Sequence, residues 1–397
     1  MKALKMSLAL ALAVSGIWLQ PADASSLLVL GNNAMLKRTI IVSPEAMETD
    51  SGADLLEALN STDGTAETPY LIKIEPGIYD LNGSSLKMKP YVDIEGSGQG
   101  LTVILSDNRN GVIIPSSNSE LRELTISSTY AGESIAYGLY IHMSSPSIRN
   151  VTVDVTAGCR LPHGIYSYQA DPVLTGVKVS VTGREQTFGI YSDSGTIRMN
   201  TIDIEAATTG NDFNVYSIEI DSGGSQTSPV RIEGVSAVAS GGNYAVGLRI
   251  RNAAAQVIGT DCLAASGAHN RGIYIVNDTL PVTISNSYAI ARGGSSAVAI
   301  GLEYAGVSLN NVTAKGEEAS GANIGFGGIS ADEPMTVSID HCHLTGSYRS
   351  INSSENFIFY VGASKLSGTV AGSGTWHCIY CYDEENMMLD STCQPTF

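Results

Sequence analysis

The segments Gly164-Ile165-Tyr166 and Gly189-Ile190-Tyr191, which begin 25 residues apart, decide the fold of this chain. Their pattern of a glycine, an aliphatic residue and usually a tyrosine recurs at steps of about 25 residues. The eight occurrences, here called anchors, begin at Gly138, Gly164, Gly189, Asn214, Gly247, Gly272, Gly301 and Gly328. Self-similarity at a period of this length is typical of stacked units that cannot bury their apolar faces alone. The sequence therefore predicts a solenoid.

A second pattern keeps the same register. Segments such as Ile148-Arg149-Asn150-Val151-Thr152-Val153 follow the anchors, with an aliphatic residue, a turn residue two positions later and an alternating strand. Because strand side chains alternate between two faces, this pattern places in the core Val151, Val177, Ile202, Val235 and Val312. The turn positions hold residue types that accept left-handed backbone or bond to local backbone groups. This turn column consists of Asn150, Gly176, Thr201, Gly234, Gly259, Asn286 and Asn311.

The pairing of successive coils sets the predicted handedness. Parallel strands joined by a crossover are right-handed in the great majority of proteins. The composition also favours strands, because the 397 residues include 42 glycines, only 15% are charged, and long helical patterns are missing. We therefore predict an all-β fold, a single-stranded right-handed parallel β-helix with a short N-terminal capping helix and a C-terminal cap.

Three N-terminal segments carry a resemblance to a known family. Residues 53–59 have the pattern of a short capping helix, residues 70–79 end in Pro-Gly-Ile-Tyr, and residues 92–98 contain Ile-Glu-Gly-Ser-Gly. With the repeat that follows, the chain resembles the pectin-lyase-like superfamily over residues 40–373. The N-terminal segments are similar to the first turns of pectin methylesterases. The resemblance implies a parallel β-helix, with glycines where strands bend.

The catalytic motifs of these enzymes are not found in the sequence. The nearest match to the Asp-Phe-Ile-Phe-Gly segment of pectin methylesterases is Asn356-Phe357-Ile358-Phe359-Tyr360, which has asparagine where the nucleophilic aspartate should be. The signatures of polygalacturonases and of calcium-dependent pectate lyases are also missing. The resemblance therefore implies the fold, and it weakens the expectation of catalysis.

The first residues have the pattern of a secretory signal. Lys2 and Lys5 precede an apolar run over residues 8–19, and Ala22-Asp23-Ala24 follows as the cleavage site. We expect a signal peptide at 1–24, a β-helix domain at 25–373 and a C-terminal cap at 374–397. The mature protein is then secreted or periplasmic, and no later stretch is long and apolar enough to span a membrane.

The charge of the chain limits its partners. The sequence has 22 Lys and Arg against 39 Asp and Glu, a net charge of −17. Cleavage after Ala24 would remove two lysines and one aspartate, leaving 20 against 38, or −18. Such a surface repels nucleic acid and anionic membranes. It also disfavours polyanionic sugars unless a local basic patch or bound calcium intervenes. We expect a polysaccharide or a cell-surface glycan as partner, and the oligomeric state stays open.

The tyrosines of the anchors are the first candidate site. The residues beside them are apolar or small, whereas the tyrosine position tolerates Arg249 and Glu303, so we expect it to face outward. Since parallel strands lie ~4.8 Å apart, four adjacent tyrosines would span about 14 Å, the scale of a few sugar rings. The predicted substrate-binding ladder consists of Tyr140, Tyr166, Tyr191 and Tyr216. The alternative is a purely structural stack of rings between coils.

An acid patch is the second candidate site. Thr152, Lys178 and Asp203 fall in one outward column of the next sheet, and Asp154, Ser180 and Glu205 fall in another. Two coils separate Asp154 from Glu205, or about 9.6 Å, just beyond the range of an inverting pair of carboxylates. Asp154, Asp203 and Glu205 are therefore weak catalytic candidates, with a solvated face as the alternative.

The cysteines and histidines indicate structure rather than chemistry. We expect a Cys378–Cys393 disulfide in the C-terminal cap, contributing ~3 kcal/mol, with Cys381 as the alternative partner. Cys262 and Cys342 fall at strand positions and are expected to be buried. In His341-Cys342-His343, alternation sends Cys342 inward and the histidines elsewhere, so the three ligands cannot converge on a metal. No metal or cofactor is expected.

Three functions follow from these patterns. The leading hypothesis is a secreted, non-catalytic protein that binds glycans through its tyrosines. The competing hypothesis is a pectin-lyase-like polysaccharide hydrolase, lyase or esterase, and a structural spacer in a cell-envelope assembly is the third. A groove that holds two carboxylates beside an arginine or lysine would favour the enzyme.

Overall fold

The computed structural model describes residues 38–156, 158–223, 228–276 and 280–396. The predicted signal peptide at 1–24 lies outside the described residues. Within the described part of the chain, no helix is long and apolar enough to cross a membrane.

The described residues form one α-helix, α1 (Glu48–Asn60), and 34 β-strands. In chain order, β1 to β34 are Arg38–Val42, Tyr70–Ile74, Gly77–Asp80, Leu86–Lys87, Val92–Glu95, Thr102–Ser106, Ile113–Ile114, Glu120–Ser128, Ile135–His142, Ser147–Val155, Leu161–Tyr168, Val173–Thr175, Lys178–Gly183, Thr187–Asp193, Arg198–Thr208, Asn214–Asp221, Val230–Ser240, Tyr244–Arg251, Ala255–Ile258, Asp261–Ala265, His269–Val276, Val282–Ser285, Tyr288–Arg292, Ser296–Glu303, Val307–Asn310, Thr313–Glu317, Ala322–Ser330, Met335–Asp340, His343–Gly346, Arg349–Ser353, Phe357–Gly362, Lys365–Ser367, Val370–Gly372 and Thr375–Ile379.

The strands form a right-handed parallel β-helix of about 11 turns, as predicted. Twelve strands, including β9, β11, β14, β16, β18 and β21, make one sheet, and the other 22 make a second sheet. The second sheet bends, because single strands such as β8, β10, β15 and β17 run through the turn column and contribute to two sides of the coil. Each coil therefore has three sides, and the strands of neighbouring coils pair in parallel.

The turn column has the backbone geometry that its residue types predict. All seven positions adopt positive φ, from 51° at Asn286 to 64° at Gly176. Glycine and asparagine tolerate this left-handed region best. The amides also bond along the stack, since Asn311 Nδ2 donates to Asn286 Oδ1 at 2.8 Å. The column thus bends each coil at the same place.

The core confirms the predicted alternation. The five inward residues of the second pattern are at most 2% exposed.

Glycine occurs at the anchors for a different reason, because the anchor residue and the aliphatic residue after it both face inward. A Cβ on Gly164 would lie 2.3 Å from Val179 Cγ1 and 2.6 Å from the Gly189 carbonyl oxygen. Only glycine fits where two consecutive residues turn toward a packed interior.

Both ends of the solenoid are covered. Helix α1 packs on β3 with Leu55 and Leu59 buried. At the other end, the residues after β34 fold back over the last coil, and the Cys378–Cys393 disulfide joins them to β34. Cys381 is a buried free thiol, and Cys262 and Cys342 are buried as expected.

Candidate functional site

The outer surface of the twelve-stranded sheet, here called the tyrosine face, carries three columns of outward side chains. The register of neighbouring strands sets these columns. The first column is Tyr137, His163, Phe188, Tyr216, Val246 and Arg271. The second is Tyr140, Tyr166, Tyr191, Glu219, Arg249 and Tyr274. The third is His142, Tyr168, Asp193, Asp221, Arg251 and Val276.

The predicted position of Tyr216 in the ladder is wrong. Tyr191 pairs with Glu219, and Tyr216 pairs with Phe188 in the first column, where it is only 6% exposed. The turn before β16 causes the difference. Three residues separate Gly183 from Thr187 on one coil. Six residues separate their partners on the next coil, Thr208 and Val215. The three extra residues carry Tyr216 out of the second column.

Two later anchors are also misplaced by the periodic pattern. Tyr274 pairs with Gly301, so Gly301 stands at the tyrosine position of its coil rather than at the anchor position. Gly301 in turn pairs with Gly327, which puts Gly328 beyond that column. Glu303 pairs with Val276 in the third column. The tyrosine ladder therefore holds Tyr140, Tyr166 and Tyr191, and then becomes charged.

The aromatic rings of the ladder pack against one another, with Tyr140 stacked on Tyr166 and Tyr191 tilted by 42° to Tyr166. Ring centroids are 5.7 Å apart between Tyr140 and Tyr166, and 5.4 Å apart between Tyr166 and Tyr191. The first column continues the stack, with His163 and Phe188 at 4.6 Å. Ring faces therefore contact neighbouring rings, as the structural alternative expected, and the ring edges with the hydroxyl groups form the outer surface.

His163 lies deep in this aromatic stack. It is 7% exposed, and burial lowers the pKa of its imidazole to about 4. Its Nδ1 has no hydrogen-bond partner among the described residues. The ring is therefore neutral at physiological pH, and it packs like the phenylalanine of the next coil.

The centre of the tyrosine face holds a buried carboxylate. Glu219 is 4% exposed, and its Oε1 lies 3.4 Å from Arg249 Nη1. Arg249 also donates to the Tyr216 hydroxyl at 3.1 Å and lies over the rings of Tyr216 and Tyr274. Burial raises the pKa of Glu219 above the usual carboxyl value, although Arg249 and Arg251 oppose the rise. A carboxyl group that holds its proton longer than usual is suited to proton donation.

Two more carboxylates stand near Glu219, with Asp221 on the same strand and Asp193 on the neighbouring rung. Asp193 and Asp221 are paired directly across β14 and β16. Asp221 accepts a hydrogen bond from Arg251 Nε at 3.0 Å. Asp193 accepts hydrogen bonds from the hydroxyls of Ser194 at 2.9 Å and Tyr166 at 3.5 Å. The three carboxylates are close enough that they all contribute, with burial, to raising the pKa of Tyr191 to about 12.

A groove of ≈ 330 Å³ follows at the next coils. Arg249 and Arg271 line it together with Tyr216, Tyr244 and Tyr274. The Arg271 guanidinium carbon lies 3.8 Å from the centre of the Tyr274 ring, and the Tyr274 hydroxyl bonds to Glu303. The groove thus combines two arginines with Glu303 on an otherwise acidic protein.

The acid patch forms the columns that the sequence predicts, but on another side of the coil. Lys178 pairs with Thr152 and Asp203, while Ser180 pairs with Asp154 and Glu205. All of these residues except Asp154 line a depression of ≈ 380 Å³ on the bent sheet, and Asp203, Glu205 and Lys178 are exposed. Their exposure leaves their charges screened by water, in contrast to Glu219.

Sequence reasoning missed Glu219, Asp193 and Asp221. The missed signal is the third outward column, which lies two residues after the tyrosine position. Asp193 follows Tyr191 there, and Asp221 follows Glu219. Glu219 and Asp221 pair with Arg249 and Arg251 on the tyrosine face, whereas the groove beside them is lined by one carboxylate, Glu303.

The histidines and cysteines of the described residues do not form a candidate metal site. In the part of the chain that the structure describes, no group of three His, Cys, Asp or Glu side chains is arranged to hold a metal. His341 contacts Asp340, Cys342 is buried, and His343 contacts Ser367, so the three point apart.

Comparisons with known proteins describe the fold. No protein family model matches the chain, and no curated protein is significantly similar to it. Among solved structures, the A-module of Azotobacter vinelandii mannuronan C-5 epimerase AlgE6 has a TM-score of 0.46 at 13% identity, over 84% of this chain and 95% of that one. The catalytic unit of the GH87 α-1,3-glucanase of Streptomyces thermodiastaticus has a TM-score of 0.48 at 12% identity, over 94% and 73%. Tailspike gp49 of the Acinetobacter baumannii bacteriophage Fri1, a capsular polysaccharide depolymerase, has a TM-score of 0.49 at 10% identity, over 90% and 64%. The chain spans about two thirds of the tailspike, and likeness at these identities concerns the fold alone.

Proposed function

We propose that this chain is a polysaccharide-active enzyme that cleaves glycosidic bonds on its tyrosine face. One observation carries the proposal: a buried glutamic acid with a raised pKa, Glu219, lies one rung from Asp193 and two residues from Asp221 on its own strand. Hydrolysis of a glycosidic bond needs two such carboxyl groups, one protonated and one ionised.

Glu219 is the proton donor of the proposed reaction. Burial favours its neutral form, which can protonate the leaving oxygen of the sugar. Arg249 keeps other partners when Glu219 is neutral, because it bonds to the Tyr216 hydroxyl and lies over two tyrosine rings. Arg249 is therefore held in place in both protonation states of Glu219.

Asp193 is the carboxylate that activates water. The hydroxyls of Ser194 and Tyr166 orient it from two sides. One rung of ~4.8 Å and two strand residues of ~3.3 Å each separate the backbones of Glu219 and Asp193, which gives about 8 Å. The carboxyl groups of an inverting pair lie ~6.5–9.5 Å apart, and a backbone separation of this size is compatible with such a pair. Asp221 stays bound to Arg251 and supplies fixed negative charge nearby.

The glycan lies along the ladder of Tyr140, Tyr166 and Tyr191. Their hydroxyls and ring edges face outward at the ~4.8 Å spacing of the rungs. Hydroxyl donors and apolar edges side by side suit sugar rings, which also alternate polar and apolar surface. Since residues 1–24 have the pattern of a secretory signal, we place this activity outside the cytoplasm.

The test is release of reducing sugar from alginate, polygalacturonate, α-1,3-glucan and xylan. We expect Asp193→Asn and Glu219→Gln to lower the rate about 10²–10⁴-fold on the polysaccharide that the wild type cleaves. Asp203→Asn is the matched control, because it removes a carboxylate from the acid patch on another side of the coil. Full activity in Asp193→Asn, or loss of activity only in Asp203→Asn, would reject this site.

A non-catalytic glycan-binding protein is the second candidate. It is favoured by the pairing of Glu219 with Arg249 and of Asp221 with Arg251, since ion pairs can serve structure alone. This function predicts retention of a polysaccharide in an affinity gel without turnover. Retention would then fall in Tyr166→Ala and persist in Glu219→Gln.

A further inference from the structure

A groove lies beside helix α1, at the N-terminal end of the tyrosine face. It measures ≈ 720 Å³ and is here called the N-terminal groove. The end of α1 forms one wall with Leu56 and Asn60, and the first coils form the other with Lys87 and Asn110. No residue of the catalytic cluster lines it.

This groove continues the tyrosine ladder without a break. Ile113 pairs with Leu139, so the next residue, Ile114, extends the column of Tyr140. Lys87 pairs with Ile114 and stands one rung further. Five rungs of ~4.8 Å separate Lys87 from Glu219, a path of about 24 Å along the outer surface of one sheet.

The lining of the N-terminal groove suits sugars. The side-chain amides of Asn60 and Asn110 and the Lys87 ammonium group have no partner among the described residues, and all three residues are exposed. Leu56 and Ile114 add half-buried apolar surface between these polar groups. Other polar atoms are committed, since the Asn108 amide donates to the Gly83 carbonyl at 2.8 Å. Ligand-binding sites combine apolar surface with a few polar groups that orient the ligand, and the lining of this groove has both.

We infer that the N-terminal groove is a distal subsite that binds sugar residues of the same polysaccharide several rings away from the bond that is cleaved. The inference rests on the proposed function of the tyrosine face. The distal contacts are available only to a chain that reaches from Glu219 to Lys87. The protein therefore prefers long chains and attacks them internally rather than at their ends.

The experiment compares a tetrasaccharide with a decasaccharide, both prepared from the panel polysaccharide that the wild type cleaves or retains. The full-length chain is used, and binding is measured by isothermal titration calorimetry alongside turnover. Lys87→Ala/Asn110→Ala removes two free donors, and Asn110→Trp fills the groove. Asn200→Trp, an exposed position on the bent sheet, is the matched control.

We expect the wild type to bind the decasaccharide at least tenfold more tightly than the tetrasaccharide. Both groove variants should weaken decasaccharide binding about tenfold, which corresponds to two hydrogen bonds of ~0.7 kcal/mol each. In both groove variants, the affinity for the tetrasaccharide and its turnover should stay within twofold of the wild-type values. The control should bind the decasaccharide as tightly as the wild type does.

Three results would overturn the distal subsite. Equal affinity of the wild type for the two oligosaccharides, unchanged decasaccharide binding in both groove variants, or equal losses for both oligosaccharides would each do so, while cleavage that depends on Asp193 would still support the proposed function. A wild type that neither cleaves nor retains any panel polysaccharide would overturn both.

Discussion

At the scale of the residue, the environment of Glu219 separates this carboxyl group from the other acidic residues of an acidic protein. The exposed carboxylates of the acid patch keep their water, whereas Glu219 lies beneath Arg249 and between tyrosines. Removal from water disfavours the charged form, and the ion pair only partly compensates. Glu219 therefore links the electrostatics of the site to the stability of the fold.

Glu219→Gln should change how stability depends on pH. A raised pKa means that the folded protein binds the proton more tightly than the unfolded chain does, so this contribution is fully present below the unfolded pKa of about 4.3. It is lost as pH rises through the folded pKa. We expect the melting temperature of the wild type to fall relative to that of the variant as pH rises from about 4 to 7. Circular dichroism melts of both proteins in matched buffers measure this difference. If the melting temperature of the wild type instead rises relative to that of the variant as pH rises, the ion pair of Glu219 with Arg249 outweighs the effect of burial.

At the scale of the element, the strands of the tyrosine face owe their shape to the anchor glycine. Two inward residues in succession leave the outward side chains three residues apart, as at Tyr137 and Tyr140. This irregularity lets one strand present two aromatic columns instead of one. The crowded aromatic surface is thus a consequence of a glycine on the opposite side of the strand.

Gly164→Ala should destabilise the protein by about 1–3 kcal/mol, since the new methyl group would overlap Val179 and the backbone of the next coil. Gly301→Ala is the control. A Cβ there would have its nearest neighbour, Tyr274 Cδ2, at 3.5 Å. Urea unfolding of both variants should show a loss only for Gly164→Ala. A comparable loss for Gly301→Ala would mean that Gly301 occupies an anchor position after all.

At the scale of the whole molecule, a solenoid depends on its ends, because each coil contacts only its neighbours. Helix α1 covers the first coil, and the folded-back C-terminal residues cover the last one. The exposed strand edges that would otherwise pair with other chains are thereby protected. The same stacking explains why the binding surface is long and linear.

Cys378→Ser/Cys393→Ser should lower stability by ~3 kcal/mol, since the disulfide joins residues 15 apart in sequence and restricts the unfolded chain. Reductant supplies the internal control, because it should lower the melting temperature of the wild type and leave that of the double variant unchanged. Limited proteolysis should cut the variant first near its C-terminus. Equal melting temperatures with and without reductant would show that the bridge does not support the cap.

Much of the fold could be predicted because its signals are local. The period of about 25 residues, the buried Val151 and Val177, the left-handed turn at Asn150 and the Cys378–Cys393 pair each depend on neighbouring residues or simple alternation. The roles of Tyr140, Tyr166 and Tyr191 in binding stay predictions, although the structure places these residues in one outward column.

Apolar periodicity and turn chemistry act over a few residues, so the amino-acid pattern alone predicts a stack of coils, the residues that face its axis and the positions where each coil bends. Which side chains share a rung depends instead on the pairing of strands from different coils. The coil has three extra residues before Val215, which change the pairing between β14 and β16. The hydrogen bonds between these coils place the extra residues in the turn, which the spacing along the chain does not indicate. That non-local pairing places Glu219 beside Tyr191 and Arg249 and moves Tyr216 away.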